Sequence, residues 1–218
     1  MKKWIVMGSL LLILSGCSAT GANDGGTPGT SPGSSTPPAT EAPSNESTAT
    51  PVSTLTKEEA AAQVLKALKE KDHAALQSVV HPEKGVLFAP YVYIDKETAL
   101  TFKAADLPTF DDEKVYEWGV QDGTGDPIKL NFADYYKRYL FNHDFTTAEE
   151  VKENEVVMSG GMIVNMKDIF PDAQFYDYHF SGFDEKYEGL DWASLIVVLE
   201  EHEGSWYVVG LVHSEWTV

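Results

Sequence analysis

The chain has 218 residues and a formal net charge of −18, enough length for one domain once a leader and a spacer are set aside. So acidic a surface repels phosphate backbones and anionic headgroups, which argues against nucleic acid and against direct adhesion to a membrane surface. The single cysteine excludes an intrachain disulfide and a cysteine-rich zinc site.

Lys2 and Lys3 open the chain, and an apolar run over residues 5–14 leads into Leu14-Ser15-Gly16-Cys17. The run is too short to span a bilayer as a permanent helix and reads as an export signal. A small-residue site closed by cysteine resembles the bacterial lipobox. That resemblance implies cleavage before Cys17, diacylglycerol on its thiol, and lipid anchorage at the extracytoplasmic face of the cell membrane. Lasting attachment needs more than one acyl chain, at about 0.8 kcal/mol per buried CH₂. An acylated Cys17 leaves no free thiol for nucleophilic chemistry. Residues 18–54 are rich in Ser, Thr, Gly, Pro and Ala, with no aromatic, lysine or arginine. Such a segment has too little apolar surface to offset the entropy of ordering and is expected to be disordered. As a coil it would reach roughly 35 Å root-mean-square. The organisation expected is a leader over 1–16, a lipidated linker over 17–55 and one domain over 56–218.

Thr56-Lys57-Glu58-Glu59 has the pattern of a capping box. Ala60, Ala61, Val64, Leu65 and Leu68 follow at helical spacing. Asp72 caps a second helix through Leu76, Val79 and Val80, closed by His81-Pro82. Gly85 turns the chain into a strand expected over 86–94. The polar stretch 95–113 has no clear period beyond one helical turn near Thr98. A strand carrying Trp118 is expected over 115–120, then turn chemistry over 122–127. Asn131 caps an amphipathic helix with Phe132, Tyr135, Tyr136, Tyr139 and Leu140 on one face. Thr146 or Thr147 starts a further turn, and 156–164 reads as a strand kinked at Gly160-Gly161. Over 174–180, Tyr176, Tyr178 and Phe180 alternate with Phe175, Asp177 and His179. Two long apolar runs, 192–200 and 206–216, flank His202-Glu203-Gly204-Ser205 and predict a hairpin. Strict alternation places Val209, Leu211, His213 and Glu215 on one face of its second strand.

Helices first and antiparallel strands last define an α+β class: N-terminal helices packed on a curved, mainly antiparallel sheet. The helical opening and long closing hairpin resemble the nuclear transport factor 2-like, or cystatin-like, superfamily, in which a curved sheet wraps around helices and leaves a conical cavity. Further runs resemble bacterial secreted proteins and lipoproteins. These are His81-Pro82 with Gly85-Val86 and Pro90-Tyr91, then Gly125-Asp126-Pro127-Ile128-Lys129-Leu130, Gly182-Phe183-Asp184 through Trp192, and Trp206-Tyr207 through His213 to Thr217. The resemblance implies a fold and a location, and no catalytic residue.

Asp177 and His179 share one strand face, and His213 lies on another strand. Were those faces to meet, a carboxylate would orient an imidazole for general acid–base catalysis. Cone-fold isomerases and dehydratases use such groups, so Asp177, His179, His213 and Tyr178 form the candidate catalytic set of a lyase, isomerase or hydrolase. The plainer reading, which we prefer, leaves Asp177 and His179 in solvent and makes His213 a core histidine bonded to backbone. Tyr91, Trp118, Tyr136 and Trp192 are the candidate ligand-binding residues, as walls of an aromatic cavity. His81, His179, His213 and Asp177 have no HExxH-type spacing, so no metal and no other cofactor is expected. The run from Asp122 to Asp126 resembles a calcium loop only briefly, since Pro127 and Ala133 replace the glycine and glutamate an EF-hand needs. There is no phosphate-binding loop and no GxSxG elbow. The reading is a membrane-anchored envelope lipoprotein whose domain binds a small molecule or an envelope protein. The alternative is the cavity enzyme.

Overall fold

A computed structural model describes residues 54–217, so the leader, Cys17 and nearly all of the linker lie outside the described residues. No helix among the described residues is long and apolar enough to cross a membrane.

Helix α1 (Lys57–Glu70) begins where the capping box predicts: Thr56 Oγ1 accepts from the Glu59 N–H, and the Glu59 carboxylate accepts from the Thr56 N–H. Helix α2 (His73–Val79) is capped by Asp72. The apolar stripes of both helices are buried against one face of the main sheet.

Strand β1 (Val86–Ala89) is shorter than predicted. Pro90 has no N–H to continue the ladder, and the chain bends there. A glycine is required before it: Gly85 has φ +79°, and a Cβ would collide with the Phe102 carbonyl. The stretch without a clear period contains β2 (Leu100–Phe102), an edge strand antiparallel to β1 and too short to register as alternation. Strand β3 (Val115–Val120) pairs with β4 (Pro127–Asn131) in a separate two-stranded hairpin. The sequence reading expected only a turn and a cap in place of β4. Asn131 does cap α3 (Phe132–Tyr135), accepting from the Asp134 N–H at 2.8 Å. The helix then widens into one π-turn (Tyr136–Leu140), closed by the Phe141 N–H on the Tyr136 carbonyl at 2.7 Å.

Strand β5 is Glu150–Glu153, and residues 156–164 are not a strand, contrary to expectation. Both Gly160 and Gly161 have positive φ, which ends extended pairing. This segment and the short α4 (Met166–Ile169) instead cover the sheet face opposite the helices. Strands β6 (Gln174–Phe180), β7 (Ala193–His202) and β8 (Ser205–Glu215) complete a six-stranded sheet of order β2-β1-β8-β7-β6-β5. All its pairs are antiparallel except β1–β8. Glu203 and Gly204, both at positive φ, form the tight β7–β8 turn that such a pair favours.

A bulge corrects the predicted alternation of β8. Val198 faces Gly210 while Leu199 faces Val208, so Val209 is the extra residue. Val209 joins the outer cluster with Val212, and Leu211 joins the helix-face core.

Candidate functional site

Cross-strand register decides the fate of the predicted catalytic set. Residues directly opposite one another in adjacent strands project from the same sheet face. Tyr178 is opposite Leu195, which is opposite His213; His179 is opposite Ser194. Tyr178 and His213 therefore project towards the helices, and Asp177 and His179 project from the other face. The four residues do not converge, because the sheet lies between them.

The expectation that Asp177 and His179 are solvated is also corrected. They are 0% and 3% exposed, beneath residues 156–164. His179 Nδ1 lies 2.9 Å from Ser194 Oγ. Asp177 Oδ2 accepts from the Val157 N–H at 2.8 Å, and Oδ1 has no hydrogen-bond partner. Burial pushes the Asp177 carboxyl up to about 6, against the opposing pull of the Val157 N–H and the nearby Ser194 hydroxyl. Burial likewise lowers His179. Trp192 is buried on this face, its ring 5.8 Å from that of His179.

On the helix face, His213 is fully buried, edge-on to Tyr139 at 6.0 Å, with Nε2 3.4 Å from Glu215 Oε2. Neither ring nitrogen makes a hydrogen bond, so the expected backbone partner is absent: the His213 backbone sits in the β7–β8 ladder and its ring points at Tyr139 and Glu215. Arg138 grips Glu215 through both terminal nitrogens, Nη1 donating at 2.8 Å. Burial would raise the Glu215 carboxyl, but His213 and Arg138 together outweigh it and hold the group at about 2. Burial pushes the Tyr178 phenol up to about 12. Tyr136, a predicted ligand residue, is instead a tether. Its hydroxyl donates to the Leu68 carbonyl at 2.8 Å, and burial takes its phenol up to about 12.

The remaining two predicted ligand residues, Tyr91 and Trp118, border one cleft of about 370 Å³. One wall is the chain leaving β1 at Pro90, which closes on itself where the Ala99 N–H donates to the Asp95 carbonyl at 2.8 Å. The opposite wall is the β3–β4 hairpin. Its register shifts between Glu117 and Val120, with Gly119 at φ +114°, a conformation that disfavours any other residue. That irregularity brings Val120, Gln121 and Asp122 to the cleft, and Met162 and Ile163 close a third side. Trp118 at the floor stacks on Tyr135 at 3.9 Å, and its indole N–H already donates to the Leu130 carbonyl at 2.9 Å. At the rim Tyr93 is 55% exposed and Ile163 74% exposed. The sequence reading missed Tyr93, Asp95, Asp122 and Ile163. The signals present were Pro90, which ends β1 early, and Gly119 inside an apolar strand.

Among the described residues, no group of three or more His, Cys, Asp or Glu side chains is placed to hold a metal ion. The fold and its cleft define a mixed α+β domain with helices on one face of a six-stranded sheet. No family model matches the chain, and no curated protein matches it. Among solved structures, a designed nuclear transport factor 2-like protein is similar over 70% of this chain and 90% of its own, at 11% identity and a TM-score of 0.26.

Proposed function

We propose that the chain is a lipoprotein anchored through Cys17 at the extracytoplasmic face of the cell membrane, its linker presenting a cone-type domain that binds a small molecule. The observation that carries the binding reading is the cleft beside Tyr91 and Trp118. Its volume of about 370 Å³ falls within the range of roughly 300–1,000 Å³ usual for small-molecule sites. Its walls are mainly apolar and aromatic, with a few polar groups to orient a ligand. Anchorage is supported by the order of Lys2-Lys3, the apolar run and Leu14-Ser15-Gly16-Cys17.

Binding is favoured over the lyase, isomerase or hydrolase reading because the four candidate catalytic side chains project from opposite sheet faces. Native mass spectrometry of the full mature protein from its producing cell tests the proposal. A bound small molecule that is lost when Ala99→Trp fills the cleft is the expected result. Retention of the same mass in that variant places the ligand elsewhere. Labelling cells with a fatty-acid probe tests the anchor, and a mature chain left unlabelled defeats it.

A further inference from the structure

We propose that the ligand of this cleft is an organic cation, an ammonium group carried on a compact apolar body. The inference rests on the reading of the cleft as a binding site and adds the chemistry of what fills it. Asp95 and Asp122, both exposed, border the cleft, and no lysine, arginine or histidine does. Among the described residues neither carboxylate takes part in an ion pair. Asp95 Oδ1 accepts the Glu97 N–H at 2.9 Å, which leaves its second oxygen for a ligand.

The basic residues nearby in sequence or space are engaged elsewhere. Lys96 donates to the Asp168 carbonyl, Lys129 pairs with Glu117, and Arg138 is held by Glu215. Tyr93, 55% exposed at the rim, and the more buried Tyr91 both border the cleft, and the face of a tyrosine ring attracts a cation more strongly as the cation loses water. Trp118 contributes surface but no donor, since its N–H is engaged within the domain. Ala89, Ile94, Ala99, Val120 and Met162 supply the apolar remainder. An anion entering here would meet two carboxylates on a chain of charge −18, with no positive charge on the walls to compensate. A neutral ligand would gain the apolar contacts alone. Only a cation gains from every part of the lining.

The test titrates the full-length, unlipidated Cys17→Ser chain, free of detergent, with three probes. These are phenethyltrimethylammonium, its uncharged carbon isostere 3,3-dimethylbutylbenzene, and 3-phenylpropionate. The expected result is that the ammonium binds at least tenfold tighter than the isostere and that 3-phenylpropionate binds weakest. The advantage of the ammonium should shrink as salt screens the two carboxylates. Asp95→Asn with Asp122→Asn should bring the ammonium down to the affinity of the isostere and leave the isostere unchanged. Val120→Arg, at a half-exposed lining position, should reverse the preference towards 3-phenylpropionate, with urea unfolding confirming that the variant is folded. An isostere that binds as tightly as the ammonium, or a preference that survives the double substitution, overturns the charge inference and leaves the cleft standing as an apolar site. If no probe binds, or if Ala99→Trp changes neither affinity, the cleft reading falls and takes this inference with it.

Discussion

On the helix-covered face of the sheet, Glu215 lies between Arg138 and His213 and is held at about 2. On the opposite face Asp177 has one oxygen on the Val157 N–H and one without a partner, and burial pushes it up to about 6. Both carboxylates belong to the same sheet, and in both cases loss of water favours the neutral form. What differs is the cover. The π-turn after α3 places a guanidinium over the end of β8, whereas residues 156–164 offer Asp177 a backbone N–H and no cation. The helix face is also the aromatic one, with Trp118, Tyr135, Phe88 and Phe132 in mutual contact. The outer face is a smaller, mainly aliphatic cluster with Phe170, Phe175 and Trp192 as its aromatic members, interrupted by Asp177, His179, Ser194 and Ser214.

The largest effect expected is at the aromatic centre. Trp118→Ala should cost about 3–5 kcal/mol in urea unfolding at pH 7, and a loss below 1 kcal/mol would mean that this face is not the main core. Glu215→Gln should destabilise by about 2–3 kcal/mol at pH 7, because it leaves the Arg138 guanidinium without its carboxylate partner. The native pKa of Glu215 is below its ordinary value of 4.5, so its contribution is full above about 4.5 and lost as pH falls towards 2. The gap between variant and parent should close over that window.

Asp177→Asn should do the reverse. The native pKa of Asp177 is above its ordinary value of 3.8, so stability is fully retained below 3.8 and lost as pH rises through about 6. The asparagine variant should be more stable than the parent by about 3 kcal/mol at pH 8 and equal to it near pH 3.5. A pH-independent difference between the two proteins would remove the contrast drawn between the faces. The smallest effect is at Ser194→Ala, which strips His179 Nδ1 of its partner and should cost about 1 kcal/mol. It should also raise the pKa of Asp177 further, a shift readable by carboxyl carbon NMR.

Local chemistry was legible wherever a short pattern carries its own physics. The capping box at Thr56, the Asp72 and Asn131 caps, the strand over 174–180 and the Glu203-Gly204 hairpin all stand where the residues indicated. The linear pattern missed β2, β4 and β5, strands of three to five residues that are too short to show alternation. It also took 156–164 for a strand because Val156, Val157, Ile163 and Val164 are β-formers, although two glycines at positive φ turn that segment into a cover. Of the four predicted ligand residues, Tyr91 and Trp118 meet at the cleft. Tyr136 and Trp192 share their aromatic character but are buried elsewhere, because residue type does not encode which surface a ring will face.

By itself the sequence determined the class, helices followed by a mainly antiparallel sheet, and the net charge of −18. Capping, turn formation and alternation act over a few residues and are written directly in the chain. Only the tertiary structure decided that Asp177 and His179 are buried on one face while Tyr178 and His213 project from the other. It also decided that the bend at Pro90 and the irregular β3–β4 pairing together open a cleft. Those outcomes depend on register between strands distant in sequence, where a shift of one residue exchanges the two faces.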